Sequence, residues 1–432
     1  MQRLVTGIAI VTAPIIGCAD GPCSNIEGPL LFAWDQGSSH RLAGTNGSAY
    51  SSISEALNAA SDGTAVCVGP GVWQENLTIS TDGVRLFGAG STSTVIEPTI
   101  PTSDPRTSDT TVIQVDATGV ILSGMSLRGG ATGLELLPGS GTTLLDMEMR
   151  TNQFGLLATD VESVAANGLY LVRNTNSGAI FTAEDDSETI VRISDLEVIG
   201  NGDSQVSAVG GLRSDLPLDL LNALFKDNAG VSTADLFADN GIVATDLRVE
   251  MPFSSGPESR VTPRVALFGD ITLDSASFAL RDGGVDLDCL GGELEAINMV
   301  VSNSMPTPVD QTMRISQCSG EILHATFARL GGPLQGTAVE FIGDGEVTIG
   351  NTAFINFVEA TTSSDTILTE TSNFTGELAE AQFIMPLSSL PNLRPQMDSP
   401  LIDAGENLGV PLDITGWQRP RGGAPDIGAF ER

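Results

Sequence analysis

Lysine is almost missing from this sequence. Lys226 is the only one, and histidine occurs only at His40 and His324. Against 20 basic residues stand 54 acidic ones, for a net charge of −34. A surface of that sign argues against nucleic acid as a partner, because phosphate binding draws on clusters of lysine and arginine. It also disfavours unassisted binding of polyanionic sugars, and it favours solubility and the capture of cations. Aromatic residues make up only 5% of the chain, so sugar-stacking platforms are scarce. No Cys-x-x-Cys spacing occurs and the histidines are isolated, which speaks against a zinc site. The apolar run Leu4–Ile16 is too short to span a bilayer as a permanent helix, and no other stretch is a candidate.

What the chain does have is repetition. Met147–Asn152, Leu169–Asn174, Leu196–Asn201 and Ala223–Asn228 share one pattern, in which two apolar residues flank a third and an Asn follows three positions after the second. Extended both ways, the second apolar position gives Leu127, Met149, Leu171, Val198, Phe225, Val249, Phe278, Met299, Phe327 and Phe354. A repeat of this length marks a solenoid. The string L-x-x-L-x-L-x-x-N also fits a leucine-rich repeat, at Ile193, Leu196, Val198 and Asn201 for instance. The second halves of the repeats decide. Gly155-Leu-Leu-Ala and Gly178-Ala-Ile-Phe are short, Gly-led and alternating, which suits strands rather than a helix. The expected fold is therefore all-β, a parallel β-helix with one short N-terminal capping helix over Ile53–Ala60. Asn152, Asn174, Asn201 and Asn228 should stack at one bend as a structural ladder, each tolerating the left-handed backbone of a sharp turn.

Residues 1–17 read as a signal peptide, with Arg3 ahead of the apolar run. Residues 18–45 read as a tether, 46–385 as the β-helix and 386–432 as a C-terminal capping segment. With Cys18 set aside, Cys23, Cys67, Cys289 and Cys318 form an even set in an exported chain, which suggests disulfides. Gly292-Glu293-Leu294 aligns with Gly320-Glu321-Ile322 in the next coil, so Cys289 pairs with Cys318 and, by elimination, Cys23 with Cys67. The register is one residue uncertain there, because Cys289 precedes its Gly-Glu by three positions and Cys318 by two.

Three resemblances add to this. Ile15-Ile16-Gly17-Cys18 resembles the bacterial lipoprotein box, which implies lipidation of Cys18 and anchoring at the outer membrane or cell surface. Failing that, the protein is secreted or periplasmic. Tyr50–Leu57, Gly69–Ile79 and Leu86–Gly90 resemble the opening of the pectate-lyase-like superfamily of right-handed, single-stranded parallel β-helices, which implies fold and not activity. Asp398–Gly405, Asp413–Gly422 and Asp426–Glu431 resemble the closing segment of the choice-of-anchor family of β-helix surface proteins. There Asp403, Asp413 and Asp426 are expected to pair with Arg419 and Arg421, while Trp417 covers the last coil.

Chemistry is sparse. The Gly-Arg-Pro-Trp motif of pectinesterases and the Gly-His-Gly of polygalacturonases do not occur, and no catalytic residue is assigned. His324 falls in a coil strand, where packing is the simpler role. Asp286 and Asp288 share an outer strand face, as do Glu293 and Glu295, and Asp185-Asp186 form an acidic loop. Asp286, Asp288, Asp185 and Asp186 are the candidates for calcium, against the simpler reading of a solvated acidic face. Loops at Pro98–Asp109, Pro252–Pro263 and Asn303–Asp310 interrupt the coils. The functional expectation is a monomeric, lipid-anchored, non-catalytic scaffold for adhesion to glycan or a surface protein. The alternative is a polysaccharide lyase or glycoside hydrolase on the same fold.

Overall fold

Three strands recur along the chain, and each pairs in parallel with its counterpart one turn on. The computed structural model describes residues 29–33, 49–99, 110–183, 188–202, 207, 209–230, 232–233, 235–250, 264–280, 284–304, 311–331, 334–387 and 391–432. Ser163–Val172 shows the plan of one turn. It bends at Gly168, so its halves belong to a first and a second sheet, and Ser177–Thr182 adds a strand to a third. The next turn repeats this with Val191–Ile199, bent at Asp195, and Leu212–Ser214. Stacking about 11 such turns yields a parallel β-helix.

The bend between the first two sheets has a residue type of its own. Asp146, Asp195, Asn222, Asp246, Ser275, Asn298, His324, Asn351 and Ser372 all take positive φ there, in column with Gly124 and Gly168. Short polar side chains tolerate that left-handed backbone best.

The predicted anchors fill the interior. Leu127, Met149, Leu171, Val198, Phe225, Val249 and Phe278 are in register and fully buried. One anchor shifts. Phe278 pairs with Val301, and Val301 with Phe327, so Val301 rather than Met299 belongs to the series. Met299 takes the preceding inward position, beside Ala276 and Ala325, and Asn298 is the bend residue.

The ends also depart from expectation. Leu30–Ala33, placed by composition in the tether, is a strand that pairs with Ala65–Val68 and buries Ala33. The helix Ile53–Asn58 buries Ile53, Ala56 and Leu57, and Ser52 accepts from the Glu55 N–H at 3.0 Å. Glu55 takes the Ser51 hydroxyl at 2.9 Å instead of closing the capping box, and the carboxylate of Glu75 takes the first helical N–H groups, those of Ile53 and Ser54, each at 2.8 Å.

The C-terminal segment does not close the last coil. It lies along the side of the final turns, over the bend column. Asn298 donates to the Leu412 carbonyl, while Asn351 donates to the Glu406 carbonyl and accepts its N–H. Apolar residues of the segment, among them Leu401, Ile427 and Ala429, form a second core with Val300, Ala328, Ala353 and Ile355 of the second sheet. That explains why Ala353 is apolar at an outward position: it is covered. Asp403, Asp413 and Asp426 hold backbone N–H groups of the segment rather than the two arginines. Arg419 pairs with Glu431, and Arg421 stacks on Trp417, which is 42% exposed.

Candidate functional site

The four asparagines form a one-directional chain of hydrogen bonds inside the helix. Asn152 Nδ2 donates to Asn174 Oδ1 at 3.3 Å, Asn174 to Asn201 at 2.9 Å and Asn201 to Asn228 at 3.0 Å. Each Nδ2 also donates to a carbonyl one turn back, those of Leu127, Met149, Leu171 and Val198. The left-handed residue is not the Asn but its predecessor: Thr151, Arg173, Gly200 and Asp227 carry the positive φ. Gly133, Gly155 and Gly178 stack against the ladder, and Gly211 against the backbone of Asp235 at its end. A Cβ at Gly155 would lie 2.4 Å from the Gly178 carbonyl and 2.8 Å from Asn174 Nδ2, which accounts for the Gly-led half of the repeat. The chain ends on Asp235, whose Oδ1 accepts from Asn228 Nδ2 at 2.9 Å. Arg264 Nη1 lies 3.5 Å from the other oxygen and donates to the Asn228 carbonyl. Burial pushes the Asp235 carboxyl up to about 6, against the pull of Arg264 and the Asn228 amide. Neither Asp235 nor Arg264 stands out in the sequence.

A different column faces outward on the third sheet. Ile180, Arg213, Phe237, Ala266, Asp286, Arg314 and Glu340 stack one per turn, at the roughly 4.8 Å spacing of paired strands. Phe268 lies two residues beyond Ala266 on the same face, and its ring centroid is 5.5 Å from that of Phe237. Ala266, only 4% exposed, forms the floor between the two half-buried rings. Arg213 sits over Phe237 at 5.7 Å and is fixed by Asp215 through two contacts at 3.0 and 3.3 Å. At the other end Arg314 lies between two acids and reaches Glu340 at 3.3 Å. Burial raises the Asp286 carboxyl, Arg314 lowers it and Glu340 raises it again. The result is a shallow apolar platform with a cation at one end and an acid–cation–acid group at the other. Glu97, Glu250 and Asn303 end second-sheet strands, and Thr111, Val265 and Gln311 open or begin third-sheet ones. All three long insertions therefore leave the helix at the corner beside this face. The insertions themselves lie largely outside the described residues.

The calcium candidates are not brought together. Asp286 meets Arg314, Asp288 accepts the Leu290 N–H at 3.1 Å, and Asp185 and Asp186 lie outside the described residues. Among the described residues no group of three or more His, Cys, Asp or Glu is arranged to hold a metal ion. Glu295 instead aligns with Glu321 one turn on, in a cleft of about 680 Å³ between the first sheet and residues 408–416. Burial and then the Glu295 charge raise the Glu321 carboxyl. His324 is fully buried at the bend, 3.1 Å from Asn351 Nδ2. Burial and nearby Arg419 lower it to about 3, which keeps it neutral and structural.

Cys289 and Cys318 are joined, with Cα atoms 4.8 Å apart. Asp288 pairs with Ser316 and Glu293 with Ser319, so the corner before Glu293 holds two more residues than the corner before Ser319. The expected alignment of Gly292-Glu293-Leu294 with Gly320-Glu321-Ile322 is therefore two residues out: Leu294 pairs with Gly320 and Glu295 with Glu321, and the longer corner after Asp288 is what sets Cys289 beside Cys318. Cys67 is buried and disulfide-bonded, and Cys18 and Cys23 lie outside the described residues.

No family model matches the chain, and no curated protein does. Among solved structures it is similar to pectate lyase Pel9A, at 15% identity over 94% of this chain and 96% of that one, with a TM-score of 0.46. It is also similar to the catalytic unit of a thermostable GH87 alpha-1,3-glucanase from Streptomyces thermodiastaticus strain HF3-3. That match has 14% identity over 75% of this chain and 64% of that one, with a TM-score of 0.36. Pectin methylesterase PemA from Erwinia chrysanthemi matches at 12% identity over 82% and 90%, with a TM-score of 0.28. These likenesses carry no inference about activity.

Proposed function

We propose that the protein is a β-helix scaffold that binds glycan, without cleaving it, on the outer face of its third sheet. The single observation behind this is the Phe237–Phe268 pair, two half-buried rings on an outward face of a chain poor in aromatics. Aromatic faces take the apolar side of a sugar ring, while Arg213 and Asp286 at the ends can hydrogen-bond its hydroxyls. A neutral sugar suits the platform better than a polyuronate, because the strongly acidic surface repels anions. A glycan array with purified protein, with and without calcium, tests the proposal. Phe237→Ala should weaken any captured glycan about tenfold or more, as loss of a central anchor does. An array without hits, or hits that Phe237→Ala leaves unchanged, would remove the basis for it.

A second reading has its own support. Asp286 is half-buried beside the platform and its carboxyl is raised, which suits a general acid. If the protein is a glycoside hydrolase or lyase, the captured glycan yields new reducing ends or unsaturated products, and Asp286→Asn abolishes them. A pure binder yields neither.

The scaffold is proposed to act as a monomer at the bacterial surface, held by a lipid on Cys18. Wild type should fractionate with membranes while Cys18→Ala is released. Equal membrane content in both would exclude the lipid anchor.

A further inference from the structure

Basic side chains of this acidic protein are commonly matched by carboxylates, as Arg128 is by Glu97, Lys226 by Glu250 and Arg314 by Glu340. Two on the C-terminal segment are matched by an indole instead. The guanidinium carbons of Arg394 and Arg421 lie 4.4 and 4.2 Å from the Trp417 ring centroid. Arg394 is also 5.7 Å from the Phe430 ring and donates to Thr415 Oγ1 at 2.7 Å. No carboxylate among the described residues forms a salt bridge with either, and the oxygens of the neighbouring Asp413 take N–H groups of Thr415, Trp417 and Glu431. Glu431 Oε1 takes only the backbone N–H of Arg421. Both guanidinium groups are therefore oriented by aromatic rings, with N–H edges not paired to an acid among the described residues.

The same segment exposes large apolar side chains. Phe383–Met385 pairs antiparallel with Asn392–Pro395. Phe383 and Leu393 are buried, and alternation puts Ile384 and Arg394 on outward positions. Ile384 is 41% exposed, Leu387 71%, Met397 78% and Trp417 42%. An indole flanked by arginines, among exposed aliphatic side chains, is the composition that settles at a membrane–water interface. The ring sits at headgroup level, the guanidinium groups meet lipid phosphates, and the aliphatic groups enter the acyl boundary. The acidic body does not forbid this, because screening over about 8 Å at physiological ionic strength separates it from headgroups that the contact face touches. No helix among the described residues is long and apolar enough to cross a membrane.

We propose that Arg394, Trp417 and Arg421, with Ile384 and Met397, form a docking surface for an anionic lipid bilayer. It is independent of any lipid on Cys18 and of the glycan platform. The test uses the chain from Ala19 onward, which keeps all the described residues and has no lipid anchor, in flotation with vesicles. Wild type should float with vesicles containing phosphatidylglycerol, bind vesicles of phosphatidylcholine alone far more weakly, and detach at high salt. Arg394→Gln/Arg421→Gln should bind anionic vesicles about 30-fold more weakly, at the usual worth of two surface arginines near anionic lipid. Met397→Asp, at a side chain exposed enough to leave folding intact, should also weaken binding. A blue shift of tryptophan emission on binding should vanish in Trp417→Phe. Failure to float on anionic vesicles overturns the proposal, as does full binding by the double variant with an unchanged melting temperature. Binding to a soluble polyphosphate but not to vesicles would likewise overturn it, assigning the two arginines to a soluble polyanion.

Discussion

Glu431→Ala should destabilise the protein by about 3–5 kcal/mol, the usual cost of leaving one partner of a buried ion pair alone. Arg419 Nη1 lies 3.1 Å from Glu431 Oε2, with the two side chains only 1% and 0% exposed. The guanidinium is also held by the Gly428 carbonyl at 3.1 Å and by Asn298 Oδ1 at 3.2 Å, so it cannot swing out to water without undoing those contacts. Glu431 further accepts the N–H groups of Arg421 and Asp426, which lose their acceptor in the variant. The damage should be local first. Val300, Ala328, Ala353 and Ile355 lose their cover when the segment lifts, so proteolysis should release the C-terminal segment before the solenoid unfolds. Glu431→Gln keeps the size but removes the charge and turns one of the two acceptor oxygens into a donor facing an N–H group, so it should keep part of the network and cost less than the alanine while remaining destabilising. Urea denaturation followed in parallel with limited proteolysis makes the comparison, and an unchanged midpoint for Glu431→Ala would show that the pair contributes nothing.

Asn201→Ala is the second large effect, at about 3 kcal/mol, because several buried polar groups lose partners at once. Asn201 Oδ1 accepts from both the backbone and the side-chain nitrogen of Asn174, at 2.9 Å each. Its Nδ2 serves the Leu171 carbonyl at 2.7 Å and Asn228 Oδ1 at 3.0 Å. No side chain at alanine's size replaces any of these, and no water path reaches a residue with 0% exposure without opening the stack. Thermal and chemical unfolding of Asn201→Ala against wild type measures the loss. Curves that overlay would mean the ladder is ornamental to stability.

The solenoid was readable because one strand per turn alternates cleanly and ends on a buried Asn. Both features are local in sequence. Elsewhere the alternation is masked. Ile297-Asn298-Met299-Val300-Val301 is apolar on both strand faces because the C-terminal segment covers Val300 from outside, so the inward series slipped from Val301 to Met299. The covering itself is a contact between distant parts of the chain, and nothing in the sequence of residues 386–432 distinguishes lying along the last turns from closing them. The third-sheet platform was hidden for a related reason. Phe237 and Phe268 stand in strands of three and four residues, and only the stacking of successive turns brings them together. Asp286 belongs to a local acidic run, but the residue that decides its chemistry, Arg314, arrives from the next turn.

The ladder has a direction, and that has a consequence for its length. Each amide donates a hydrogen bond to the next, and each after Asn152 accepts one from the amide before it, so each added Asn creates a fresh demand for an acceptor one turn further on. Such a series behaves like a growing polymer and needs a terminator. A fifth Asn would pass the demand along. A carboxylate meets it and donates nothing, which is what Asp235 does, with Arg264 balancing the charge that this ending leaves in the core. The number of amides in the stack is thus set at its downstream end, by where an anion can be buried beside a cation.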